Sequence, residues 1–190
     1  DSPLHERYHT YEEIQAQLEA WNSEFSNNQN PSSAYPESGI IYHLEELGIS
    51  TEDGLPFWAV KLSYNADLDE DEPRILFLGQ CHAEEILGIE ITMELINKFL
   101  NPSPSYHLQN MQAILQSSEV WIVPTYNPEG LRVVHGYYED DNTIQDVTYR
   151  KNKRDTNNNN IFDFVNGIGG DTDGVDLNRN YDFNWIFGDT

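Results

Sequence analysis

Apolar and polar positions along this chain follow two periods, and the switches between them outline its elements. In TYEEIQAQLEAWNSEF (10–25) apolar residues recur at helical spacing, which predicts an amphipathic helix. Thr10 is placed to cap it, and Glu13, at the N3 position, completes a capping box. A loop rich in Asn, Ser and Pro follows over 27–38. IIYHLEELGIS (40–50) and PFWAVKLSY (56–64) predict two strands joined by the turn STEDGL. RILFLGQ (74–80) is a continuous apolar run, the pattern of a strand buried on both faces. EILGIEITMELINKFL (85–100) and YHLQNMQAILQSS (106–118) predict helices, and EVWIVPTY (119–126) another strand. From 127 onward the periodicity fades, and the segment reads as long and irregular.

This order implies an α/β fold: a mixed, largely parallel central sheet with helices on both faces. Neither an internal repeat nor a linker divides the chain, so 1–190 is expected to belong to one domain. In open α/β sheets, sites form beyond the carboxyl ends of the strands. His82 and Glu85 lie just past such an end.

Charge narrows the partners. Asp and Glu number 33 against 10 Lys and Arg, a formal net charge of −23. Duplex nucleic acid and anionic membrane surfaces are repelled by such a chain. No apolar run is long enough to span a bilayer. The single Cys81 excludes an internal disulfide. The opening Asp-Ser-Pro is compatible with the end left by a removed leader. Half of the cations, Arg150, Lys151, Lys153, Arg154 and Arg179, fall in the last quarter of the chain. That local reversal of sign suggests a site for an anion.

Imidazole nitrogen and carboxylate oxygen are good zinc ligands, and catalytic zinc commonly takes two His and one Glu plus water. On a helix, a spacing of three residues brings two side chains to the same side, so His82 and Glu85 can converge on one ion. Alone, His-x-x-Glu is a weak signal.

Three further motifs strengthen it: Asn127-Pro-x-Gly130, the Arg150-Lys-Asn run, and GVDLNRNYD (174–182). Together, in this order, the four resemble the zinc metallocarboxypeptidases of the carboxypeptidase A/B/T type, and the likeness covers nearly the whole chain. The resemblance implies a Zn2+-dependent, secreted or periplasmic hydrolase that removes C-terminal residues from peptides or proteins, and a monomer. It implies that His82 and Glu85 are the first two zinc ligands. It assigns Arg150 to polarising the scissile carbonyl, and Asn178 with Arg179 to gripping the substrate's free carboxylate. A guanidinium suits that role because it clamps a carboxylate through two parallel hydrogen bonds. Two rival readings keep the scaffold: a peptidoglycan stem-peptide amidase or endopeptidase, and a protein that binds peptide ends without cutting them.

The sequence departs from the family at two points. Glu84 stands where well-known members carry an arginine that contacts substrate farther from the cleaved bond. The family's third zinc ligand, a tyrosine and the general-base glutamate lie farther along than residue 190. His5, His9, His43, His107 and His135 are not in the context expected of the missing ligand. The expectation is therefore an N-terminal portion of a catalytic domain, partnered by the remainder of that domain and inactive alone.

A second metal is expected on separate grounds. DTNNNNIFD (155–163) places Asp155, Asn157, Asn159, the Ile161 carbonyl and Asp163 at positions 1, 3, 5, 7 and 9 of an oxygen-rich loop of the calcium-binding kind. Asn160 stands where such loops carry glycine, and Asn166 where they carry a bidentate glutamate. Asparagine tolerates the left-handed backbone that the turn needs.

Overall fold

The computed structural model describes residues 4, 6–27, 34–103, 105–139, 141–164 and 173–183. Helix α1 spans Tyr11–Phe25. Its N-terminus is closed as expected, with Thr10 accepting from the Glu13 backbone N–H and Glu13 reaching back to the Thr10 N–H at 2.8 Å. Ile14, Leu18, Trp21 and Phe25 form its buried face. Strands β1 (Tyr42–Ile49) and β2 (Pro56–Leu62) form an antiparallel hairpin. Strand β3 (Arg74–Gln80) leads into the turn that carries His82, and α2 (Leu87–Leu100) follows. Then come α3 (Ser105–Leu115) and β4 (Glu119–Thr125).

The sheet order is β1-β2-β4-β3; β4 runs antiparallel to β2 and parallel to β3. The fold is thus a mixed α/β one, and the parallel pair ends at the site. One core joins α1, α2 and the sheet through Leu18, Tyr42, Leu62, Ile89, Ile96 and Ile122.

Three features correct the sequence reading. β3 is not buried on both faces: Ile75 through Leu78 are all exposed, because β3 is the edge of the sheet and only β4 flanks it. The segment after 127 is also less irregular than expected. Pro128–His135 forms α4, with Asn127 as N-cap accepting from the Gly130 N–H and Pro128 at the first helical position. Gly130 serves close approach there, since a Cβ would lie 2.5 Å from the Lys151 carbonyl oxygen and 2.8 Å from Ala83 Cβ. The short strands β5 (Tyr137–Glu139) and β6 (Asn142–Ile144) then form a second, two-stranded sheet.

Candidate metal centre and carboxylate-binding residues

His82 and Glu85 meet, though not on a helix. They lie in the turn between β3 and α2, where the Glu85 N–H bonds the His82 carbonyl at 3.1 Å and draws the two side chains together. Three attachments fix this turn. Gln80 Nε2 donates to the Ala83 carbonyl, and the Ala83 N–H donates to the Arg150 carbonyl. Asn127 Nδ2 donates to both the Cys81 and Lys151 carbonyls, at 2.9 and 3.1 Å. Asn127 therefore ties together α4, the His82 turn and the segment leading from Arg150.

His82 is buried, its residue 6% exposed. Its Nδ1 is buried without a hydrogen-bond partner and faces Glu85 Oε1, 3.1 Å away. Its other nitrogen, Nε2, lies 3.2 Å from Asp176 Oδ1 and 2.8 Å from Arg150 Nη2. One imidazole nitrogen thus faces the Glu85 carboxylate, and the other faces the Asp176 carboxylate together with the Arg150 guanidinium, surroundings that suit a metal ligand with outer support. Around it, Arg150 pairs with Asp176 at 2.9 Å and Glu84 at 3.1 Å, and lies 3.6 Å from Glu85. Three carboxylates against one guanidinium leave two negative charges uncompensated, which a divalent cation cancels. The donor set thus fits zinc. Among the described residues, no group of three or more His, Cys, Asp or Glu side chains is placed to hold a metal; His82 and Glu85 stand as two neighbouring donors.

Asp176 is the functional candidate that the sequence reading missed. It caps a 3-10 turn, Leu177–Arg179, by accepting from the Asn178 N–H at 2.9 Å. It therefore links His82, Arg150 and the Asn178–Arg179 pair in one residue. Burial works against its ionisation, but the Arg150 guanidinium and the Asn178 N–H outweigh it and hold the carboxyl below its ordinary range. For Arg150 the balance also favours charge: burial opposes it, and Asp176 and Glu84 raise its pKa. A carboxylate three positions before the Arg in the GVDLNRN motif was the available signal.

Asn178 and Arg179 are exposed. The Arg179 guanidinium donates to the Asn178 carbonyl at 3.2 Å and has no carboxylate partner among the described residues. The remaining cations of the 150–154 run do not join it. Lys153 is buried and bonded to Asp53 at 2.7 Å, with Tyr137 and Phe162 rings against its ammonium. Arg154 pairs with Glu52, and Lys151 Nζ donates to the Asp173 carbonyl. The run expected to form an anion site instead fastens the 51–54 turn to the 150–156 segment, and Arg150 alone of it reaches His82.

The 155–163 loop has the expected left-handed turn at Asn160, φ 63°, and another at Asn158, φ 61°. Asp155 accepts from the Asn158 and Asn160 N–H groups at 2.6 and 2.7 Å. Asn157 and Asn159 each direct an amide N–H at Asp163 Oδ2, at 2.7 and 2.9 Å, and the Asn159 and Ile161 N–H groups bond the preceding Asn oxygens. The polar groups are satisfied inside the loop, with Asp173 closing its base through Thr156 and Asp163. Asn166 lies outside the described residues.

The parallel strands thus end at a histidine–glutamate pair backed by the Asp176 carboxylate and the Arg150 guanidinium, donor chemistry that suits a metal ion. The model of the zinc carboxypeptidase family matches residues 30–189, and the chain belongs to that family. It is 28% identical over 147 residues to a zinc carboxypeptidase of Saccharothrix mutabilis subsp. capreolus, an alignment covering 76% of this chain and 28% of that protein. It is 26% identical over 188 residues to the carboxypeptidase N catalytic chain of Rattus norvegicus, covering 98% of this chain and 33% of the relative. Carboxypeptidase A from Helicoverpa armigera has the same fold, with a TM-score of 0.67 at 24% identity, over 96% of this chain and 36% of that one. The chain thus spans about a third of the length of the curated relatives it matches.

Proposed function

We propose that His82 and Glu85 hold zinc in an enzyme that hydrolyses the C-terminal peptide bond of peptides and proteins, and that residues 1–190 are the N-terminal portion of its catalytic domain. The observation that carries this reading is the bare, buried Nδ1 of His82 facing Glu85 while Asp176 backs Nε2. Bound there, zinc polarises a carbonyl and activates water at neutral pH. The chain's own residues do the rest. Asp176 fixes the imidazole ring so that Nδ1 stays directed at Glu85. Arg150, held by Asp176 and Glu84, offers its guanidinium to the carbonyl oxygen as negative charge develops on it. Arg179 and Asn178 bind the free carboxylate, which selects for a chain end. At an effective dielectric of ~20, unit charges 4 Å apart attract by about 4 kcal/mol before desolvation. In a molecule of net charge −23, that local attraction is what admits an anion.

The same charge favours a monomer and disfavours nucleic acid and anionic membranes as partners. Among the described residues, no helix is long and apolar enough to cross a membrane. An extracytoplasmic setting follows from the family resemblance. For 155–163 we propose Ca2+ as the ion the loop takes, supported by its left-handed turns, with Asp155 and Asp163 exchanging N–H donors for the cation.

Zinc titration by calorimetry tests the main reading. His82→Ala and Glu85→Gln should each weaken binding at least tenfold, with helix content unchanged. Zinc affinity indifferent to both substitutions would overturn it.

A further inference from the structure

The charged residues behind His82 come from two stretches of chain, and one side chain joins them. Arg150 belongs to the 149–154 stretch, and Asp176 with Asn178 and Arg179 to the 173–179 stretch. Neither stretch contains a strand, yet they meet backbone to backbone. The Asn152 N–H donates to the Val175 carbonyl at 3.2 Å, and the Gly174 N–H to the Arg154 carbonyl at 2.8 Å. The Asn152 side chain completes the pairing: its Oδ1 accepts from the Val175 N–H at 2.8 Å and from the Arg154 N–H at 3.1 Å. Asn152 thus holds both backbone polar groups of Val175, the residue just before Asp176. Tyr149, fully buried, donates its hydroxyl to the Asn152 carbonyl and so anchors Asn152 in turn. Gly174 permits the close approach: its φ is 84°, and a Cβ there would lie 2.4 Å from the Asn152 carbonyl oxygen.

We propose that Asn152 is a positioning residue of the metal centre: by holding both sides of Val175 it sets Asp176 between His82 and Arg150. This rests on the zinc reading above and extends it to a residue that acts through Asp176. Peptide units are planar, so fixing the N–H and the C=O of Val175 fixes both planes that flank it, and Asp176 starts from a set position. That precision is needed, because the two Asp176 oxygens serve three partners: His82 Nε2 at 3.2 Å, Arg150 Nε at 2.9 Å and the Asn178 N–H at 2.9 Å. Arg150 stands two residues before Asn152, so the Arg150–Asp176 ion pair and the Asn152 bonds close one ring across the two stretches. Without Asn152 Oδ1, much of the hold on Asp176 falls to that ion pair. The Arg150 side chain is 37% exposed, and ion pairs open to water are weak tethers. An amide also suits the position by its neutrality. It accepts two N–H groups without adding a further negative charge beside Asp176, Glu84 and Glu85.

Zinc competition against a chromogenic chelator, with urea unfolding alongside, tests this on the chain itself. Asn152→Ala should weaken zinc binding about tenfold. Asn152→Ser has a shorter side chain that keeps the turn bond to the Arg154 N–H but falls short of Val175. It should weaken zinc binding similarly, and it carries the test if the alanine variant does not fold. Asn152→Asp keeps an acceptor oxygen in place and should bind zinc like wild type. Lys153→Met, next along the chain, separates positioning from stability: its unfolding midpoint should fall while its zinc affinity holds. Because Asn152 acts through Asp176, Asn152→Ala combined with Asp176→Asn should bind zinc within about twofold of Asp176→Asn alone. Three results overturn the proposal while leaving the His82–Glu85 site standing. These are wild-type affinity in the alanine and serine variants, an equal zinc loss in Lys153→Met, or a double variant in which the two single losses add in full. Zinc affinity indifferent to His82→Ala and Glu85→Gln sinks the site itself.

Discussion

Replacing Asp176 with Asn probes the residue on which the site's geometry converges. The side chain keeps its volume but loses one carboxylate oxygen and its charge. In the wild type, Oδ1 serves both His82 Nε2 at 3.2 Å and the Asn178 N–H at 2.9 Å, while Oδ2 receives Arg150 Nε at 2.9 Å. An amide offers one acceptor, so either the Arg150 contact or the His82–Asn178 pair is lost. Loss of a partner that orients a metal-ligating histidine typically weakens metal affinity by about 10- to 100-fold. That corresponds to roughly 1.4–2.8 kcal/mol. A broken charged hydrogen bond adds a stability loss of about 1.5–3 kcal/mol. Competition against a chromogenic chelator reads the first quantity and urea unfolding the second. Glu84→Gln, which touches Arg150 but not His82, is the control and should leave zinc affinity within about threefold of wild type. Equal zinc affinity in Asp176→Asn and wild type would refute the supporting role assigned to Asp176.

Other consequences follow from the same contacts. Lys153→Met removes a buried ammonium bonded to Asp53 and packed against Tyr137. Asp53 keeps Arg132 at 3.2 Å. The expected loss is about 2–4 kcal/mol in urea unfolding, with zinc affinity unaffected. Arg179→Ala should abolish binding of a blocked dipeptide with a free carboxylate, measured by calorimetry on the assembled enzyme, and should leave stability within about 0.5 kcal/mol. Asp173 is buried; burial opposes its charge, but N–H donors from Asp163 and Thr156 hold its carboxyl below the ordinary range. A depressed folded pKa means stability present above the unfolded value, about 3.9, and lost as pH falls through the folded one. Thermal melts should therefore fall below about pH 4, and Asp173→Asn should flatten that fall. Raising NaCl should raise the melting temperature, because screening relieves repulsion among 33 acidic residues.

What could be read from the sequence was local. Thr10 and Glu13 are three residues apart, and their capping box formed as expected. β3 was placed to the residue, Arg74–Gln80, because a short apolar run bounded by a charge and a polar turn has few alternatives. Its burial was not legible, since that depends on which strands flank it. α4 carried its signals openly, Asn127 at the cap and Pro128 behind it, yet the stretch was read with the irregular segment from 127; its Gly130 is there for packing against Lys151 and Ala83. The His82–Glu85 pair was visible as a spacing, although a tight turn rather than a helix brings the two side chains together. Lys153 shows the limit most plainly. Its neighbours made it look like part of an anion site, but its partner, Asp53, is 100 residues away in the chain and close only once folded.

X-ray absorption at the zinc edge of the metal-loaded chain addresses the central claim most directly. The account predicts one imidazole nitrogen and at least one carboxylate oxygen at about 2.0–2.2 Å, with the nitrogen signal lost in His82→Ala. An unchanged spectrum in that variant, or a sulfur shell from Cys81, would contradict it.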